Sequence, residues 1–104
     1  MPEFVDARGR SIRLTQERLQ HLETDHPEMR GQTGRIAETL SNPERIVSSR
    51  SDETVELYYR LYAETPVTTK FLCVVVKNSD YDGFIITAYF TNTEKKGAIV
   101  WSKT

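Results

Sequence analysis

The sequence has one cysteine, Cys73, and only two histidines, His21 and His26. A single thiol excludes an intrachain disulfide framework, and no Cys/His spacing suggests zinc. No apolar run approaches the ~18 residues of a membrane-spanning helix. The N-terminal MPEFVDARGR lacks an apolar signal core, so the expectation is a cytoplasmic protein without a membrane partner. An excess of charge is lacking too: 14 Lys+Arg against 15 Asp+Glu leave a net charge of −1. The chain as a whole therefore does not advertise polyanion binding. Residues 1–50 hold eight basic and eight acidic residues, and residues 51–104 hold six and seven. All eight cations of the first half are Arg, whereas five of the six in the second are Lys. Any electropositive site must then be local, made by folding a few cations onto one surface. Repeats, low-complexity runs and linkers are also missing, and residues 1–104 read as one domain with a modest core.

What is present is a pattern that changes period along the chain. Phe4-Val5-Asp6 and Ser11-Ile12-Arg13-Leu14 flank Ala7-Arg8-Gly9-Arg10, which predicts a hairpin with Gly in its turn. Thr15 offers an N-cap, with Leu14 and Leu19 at the positions of a hydrophobic staple, and the helix should stop before Pro27. A second short helix is expected from Gln32 to Leu40, with Ile36, Ala37 and Leu40 turned inward and Asn42-Pro43 ending it. Period two then takes over. Strands are expected at Arg45–Val47, Val55–Tyr62, Lys70–Lys77, Phe84–Thr91 and Ala98–Trp101, with turns at Asn78–Gly83 and Lys95–Gly97. Helices first and a strand meander after them predict an α+β domain. Its helices should pack on one face of an antiparallel, roughly four-stranded sheet.

One face of such a sheet is covered and the other is free. Packing Phe84, Ile86, Ala88 and Phe90 on the helices would turn Thr87, Tyr89 and Thr91 outward. On Val55–Tyr62, burying Val55, Leu57, Tyr59 and Leu61 would expose Tyr58, Arg60 and Tyr62, and Lys70 can join them. His26 stands at a helix end, held extended by Pro27, where an imidazole is displayed for proton transfer or phosphate contact. Cleavage of RNA without metal needs an acceptor for the ribose 2′-hydroxyl proton, a proton for the leaving 5′-oxygen and fixed positive charge. His26, Arg60, Lys70 and Tyr89 meet that list as candidate catalytic residues, with Thr87 and Thr91 orienting the phosphate. Tyr58 and Tyr62 are candidates for stacking bases. The plainer reading is that Thr and Tyr are good strand residues and that Arg60 and Lys70 are solvated charges. His21 reads most simply as a core histidine, and otherwise as a substrate contact. Cys73, inside FLCVVV, reads as a buried inert thiol. Asp80 and Asp82 suit a turn and Asp25 and Glu28 suit solvent, so neither a metal nor another cofactor is expected.

Ile12-Arg13-Leu14-Thr15-Gln16-Glu17-Arg18, His21-Leu22 and His26-Pro27-Glu28-Met29 are followed in order by Tyr58-Tyr59-Arg60, Lys70-Phe71-Leu72 and Thr87-Ala88-Tyr89-Phe90-Thr91. Together they resemble the second group of phage barnase–EndoU–colicin–RelE-like (BECR) nucleases, over about Ile12 to Trp101. The resemblance implies N-terminal helices before a four-stranded antiparallel sheet. It also implies metal-independent endoribonuclease activity of the kind toxins direct at tRNA or mRNA, and leaves room for an antitoxin or immunity protein as partner. By position it points to His26, Arg60, Lys70, Thr87 and Thr91, with His21 and Tyr89 beside them. Two other readings stand next to it: a non-catalytic RNA- or protein-binding module of the same fold, and a dimerising scaffold using a strand edge or Tyr58, Tyr62 and Trp101. Oligomeric state stays open.

Overall fold

The computed structural model describes residues 3–80 and 82–103; Tyr81, within the expected 78–83 turn, lies outside the described residues. Strands β1 (Glu3–Val5) and β2 (Ser11–Arg13) form the expected hairpin. Helix α1 (Gln16–Asp25) starts where Thr15 accepts a hydrogen bond from the Arg18 N–H at 3.1 Å, satisfying one of the donors that a helix start leaves unpaired. It ends at His26, and Pro27–Met29 adds a short 3₁₀ turn before α2 (Thr33–Ser41). Five strands follow: β3 (Arg45–Ser48), β4 (Val55–Tyr62), β5 (Lys70–Asn78), β6 (Gly83–Thr91) and β7 (Ala98–Ser102). Among the described residues no helix is long and apolar enough to cross a membrane.

The class is α+β, as expected, but among the described residues the sheet has seven strands in the order β1-β2-β6-β5-β4-β3-β7. It is mixed and not wholly antiparallel, because β2 pairs with β6 in parallel through Ile12 and Arg13. The difference arises at the two ends. The N-terminal hairpin joins the sheet beside β6, and β3 and β7 pair with each other beyond β4. Gly83 allows the first junction: a Cβ there would stand 2.9 Å from Ile12 Cδ1 and 3.0 Å from Val76 Cγ1.

The helices cover one face. Leu22, Met29, Ile36 and Leu40 pack there on Ile12, Ile46, Tyr58, Leu72, Val74, Val76, Ile85 and Ala88. The alternation expected for β6 breaks at one point. Val75 faces Thr87 while Val76 faces Ile85, so Ile86 is the extra residue of a β-bulge. Ile85 thereby replaces Ile86 in the core, and Phe84, expected inside, is 40% exposed. Beyond the bulge the parity agrees with the expectation: Ala88 and Phe90 turn to the helices, and Thr87, Tyr89 and Thr91 to the other face.

Candidate functional site

The uncovered face carries its own smaller apolar cluster of Val47, Leu57, Tyr59 and Cys73, with Phe71, Val75 and Tyr89 against it. Register places these side by side: Val47 opposite Leu57, Tyr59 opposite Cys73, and Cys73 opposite Tyr89. Over this floor runs the connection from β6 to β7, residues 92–97. It must pass from one side of β5, β4 and β3 to the other, about 19 Å at ~4.8 Å per strand. Seven Cα steps at ~3.6 Å reach only about 25 Å, so the segment crosses as a strap with little slack, bending at Asn92-Thr93 and at Gly97.

Three contacts hold the strap down. The Lys95 N–H donates to the Tyr59 hydroxyl at 2.9 Å. Arg45 pairs with Glu94. Gly97 lies so close to β3 that a Cβ would stand 2.3 Å from the Ser48 carbonyl oxygen. Beside the strap opens a cleft of about 440 Å³ with Val55, Leu57 and Val75 on its floor and Ser49, Arg50, Ser51, Thr87, Tyr89, Lys95 and Lys96 around it. Among the described residues no carboxylate lines it. Arg50, Lys95 and Lys96 make no ion pair among the described residues. Other cations of the molecule are neutralised at close range, including Arg8, Arg13 and Lys77.

His26 reaches this face around the free flank of β6. Its ring centroid lies 5.6 Å from that of Tyr89, with the planes 32° apart. Its backbone is fixed from both sides, the N–H donating to the Leu22 carbonyl at 2.8 Å and the carbonyl accepting from Met29 N–H at 2.9 Å. The Tyr89 phenol is held above its ordinary range, first by burial and then by the neighbouring Cys73. Tyr59 is raised in the same way, mainly by burial. Burial pushes the Cys73 thiol up to about 11, so it stays a neutral thiol at physiological pH, the inert role expected of it.

The chain belongs to a nuclease family. The family is described as phage-Barnase-EndoU-ColicinE5/D-RelE like nuclease2, and its model matches residues 2–102. Neither the curated proteins nor the solved structures yield a match to this chain. Membership of this nuclease family makes nucleic acid the class of substrate.

The expected residues do not all meet there. Thr87 and Tyr89 line the cleft, and His26 stands outside its lining, against the Tyr89 ring. Thr91 lies on the same face opposite Phe71, but its hydroxyl is engaged by Thr93, accepting from the N–H at 3.3 Å and donating to the carbonyl at 3.1 Å. The expectation that Arg60, Lys70, Tyr58 and Tyr62 share the Tyr89 face is overturned: in β4 it is Glu56, Tyr58, Arg60 and Tyr62 that turn toward the helices. Tyr58 is fully buried, and its hydroxyl donates to Asp6 at 2.5 Å. Arg60 donates to the Asn42 carbonyl at 2.7 Å and lies 3.4 Å from Glu38. Tyr62 donates to Glu38 at 2.5 Å and is stacked by the Arg35 guanidinium, 4.7 Å from its ring centre. Lys70 stands opposite Tyr62 and is bound to Asn92. These side chains fasten the helical layer and the β6 end. His21 is neither core nor cleft: it is exposed on α1, 3.8 Å from Glu17.

The residues the sequence reading passed over are Arg50, Lys95, Lys96 and Tyr59. Lys95-Lys96-Gly97 was visible as a cationic turn, but its place over the floor depends on β7 pairing with β3, a long-range event with no local signature.

Proposed function

We propose that the protein is an endoribonuclease that cleaves RNA through attack of the ribose 2′-hydroxyl, without a metal, at the edge of the cleft where Thr87 and Tyr89 line it and His26 packs beside Tyr89. The observation that carries this reading is the His26–Tyr89 pair beside a cleft whose cations make no ion pair among the described residues. Two proton-transfer groups and unspent positive charge are what such a reaction requires.

In this scheme His26 takes the 2′-hydroxyl proton as the 2′-oxygen forms its bond to phosphorus. Tyr89, kept protonated by burial, gives its proton to the 5′-oxygen as the P–O5′ bond breaks. A 2′,3′-cyclic phosphate and a 5′-hydroxyl result, and the proton on His26 returns to Tyr89 through solvent. Arg50, Lys95 and Lys96 offset the charge gathering on the phosphorane oxygens, and Thr87 donates a hydrogen bond to one of them. The absence of carboxylates from the cleft lining supports a route without a divalent cation, which would want such oxygen ligands. tRNA or mRNA is the substrate class and a toxin-type role the setting that this reading favours, with a neutralising protein as the partner.

The test is incubation of the purified protein with total RNA in EDTA, with analysis of end groups. Cleavage leaving cyclic phosphates is expected, lowered ~10²–10⁴-fold in His26→Ala and substantially in Tyr89→Phe. Absence of cleavage, or cleavage indifferent to both substitutions, would overturn the proposal.

A further inference from the structure

The open face holds a second cleft that the cleavage scheme leaves unused. It measures about 370 Å³ and is lined by Arg45, Val47, Ile99 and Ser102 together with Arg50, Glu94, Lys95, Lys96 and Gly97. Arg50, Lys95 and Lys96 thus line both clefts. Each cleft has an apolar base, Val55, Leu57 and Val75 in the first and Val47 and Ile99 in the second. Ile99 is 61% exposed, a large apolar side chain left to solvent beside three cations. Arg45, the other cation of the second cleft, is spent on Glu94.

Apolar seats on either side of a shared cationic ridge match the chemistry of a nucleic-acid strand, in which flat apolar bases alternate with phosphates. We propose that the open face is a track for single-stranded RNA. One unpaired nucleotide sits in each cleft, and the phosphate linking them lies against Arg50, Lys95 and Lys96 on the strap. The inference rests on the reading of the first cleft as an RNA site and adds the substrate's form. In a duplex the bases are stacked and paired away from such floors, so duplex RNA would reach the ridge but leave both seats empty. Seating a paired base would require extruding it, at an energetic cost that a single strand does not bear. The two cleft volumes fall within the ~300–1,000 Å³ range of small-ligand pockets, suited to one nucleotide and not to a folded partner.

The experiment uses the full chain and fluorescent 2′-O-methyl oligonucleotides, which lack the attacking hydroxyl and so report binding alone. Lengths run from one to six nucleotides, with a pre-annealed duplex and a polyglutamate decamer alongside. Affinity is expected to rise at least 10-fold from one nucleotide to two, which fill both clefts, and to change little from two to six, with duplex and polyglutamate at least 10-fold weaker than the single strand. Lys95→Ala with Lys96→Ala should make the logarithmic salt dependence shallower by about 0.7 for each cation removed. Ile99→Asp, at an exposed position that tolerates charge, should narrow the ratio of two-nucleotide to one-nucleotide affinity by about tenfold. Equal affinity for one and two nucleotides, for duplex and single strand, or for polyglutamate and RNA would overturn the track, as would an unchanged ratio in Ile99→Asp. Cleavage that depends on His26 would survive that outcome. Length-dependent binding without cleavage would instead uphold the track and overturn the reaction.

Discussion

The two faces of the central strands meet the same backbone with opposite chemistry, and not in the way their composition suggests. The face of β4 under the helices is the more polar one, carrying Glu56, Tyr58, Arg60 and Tyr62. The face left open is the more apolar, carrying Val55, Leu57, Tyr59 and Leu61. A polar strand face can be buried where the covering layer brings partners, and here it does. Asp6 accepts from Tyr58 and from the backbone N–H groups of Arg8 at 3.0 Å and Arg10 at 2.8 Å, while Arg8 pairs with Glu56. Burial opposes the Arg8 charge, but hydrogen bonds with Glu56 and Tyr58 outweigh it and raise the guanidinium pKa. Glu38, drawn below its ordinary range by the Tyr62 hydrogen bond and then by Arg60, does the same for the far end of β4. On the covered face Arg8 has Asp6 and Glu56 within reach, and Arg60 has Glu38. On the open face Arg50, Lys95 and Lys96 have none among the described residues. Paired charge there holds the fold, and unpaired charge here is available to a ligand.

The sharpest way to break this contrast is to remove the carboxylate at the centre of the covered network. Asp6, 4% exposed, satisfies two N–H groups and one hydroxyl, so Asp6→Ala should cost about 3 kcal/mol of stability. Urea denaturation measures it, and a loss below about 1 kcal/mol would mean that the network does not hold the N-terminal loop to the sheet. Arg60→Ala should have a smaller effect, about 1 kcal/mol, since a partly exposed pair and one hydrogen bond to Asn42 are lost. The folded variant should cleave RNA at the wild-type rate; a tenfold fall in kcat at preserved stability would return Arg60 to the chemistry. The smallest effect concerns the floor between the two faces. Because burial raises the folded Cys73 pKa from 9.0 to about 11, its contribution to stability is complete below pH ~9 and is lost as pH climbs toward 11. The raised phenols of Tyr59 and Tyr89 extend the same alkaline loss. Melting temperatures from pH 7 to 11 should therefore fall less steeply for Cys73→Ala than for the native chain, and parallel curves would count against a buried neutral thiol.

Much of the fold was legible in local sequence. Thr15 capped the helix it promised, Pro27 ended that helix, and each run of alternating residues became a strand. The candidate site was legible only in part. His26 and the Thr87–Tyr89 pair could be found because a proline, a helix end and strand parity place them by short-range rules. Arg60 misled because parity along β4 offers two faces without saying which is covered. The more apolar one is the natural choice until Asp6 and Glu38 arrive from elsewhere in the chain. The bulge at Ile86 was likewise invisible, since one extra residue opposite Val75 and Val76 leaves no mark in composition.

By itself, then, the sequence determined the elements, the absence of intrachain disulfides and the presence of an imidazole and a hydroxyl column, all consequences of neighbours a few bonds apart. Tertiary structure alone decided which sheet face stayed open and where the lysines lie. Both depend on groups separated by tens of residues: Asp6 meeting Tyr58, and β7 crossing over to pair with β3 and carrying residues 92–97 across above Tyr59.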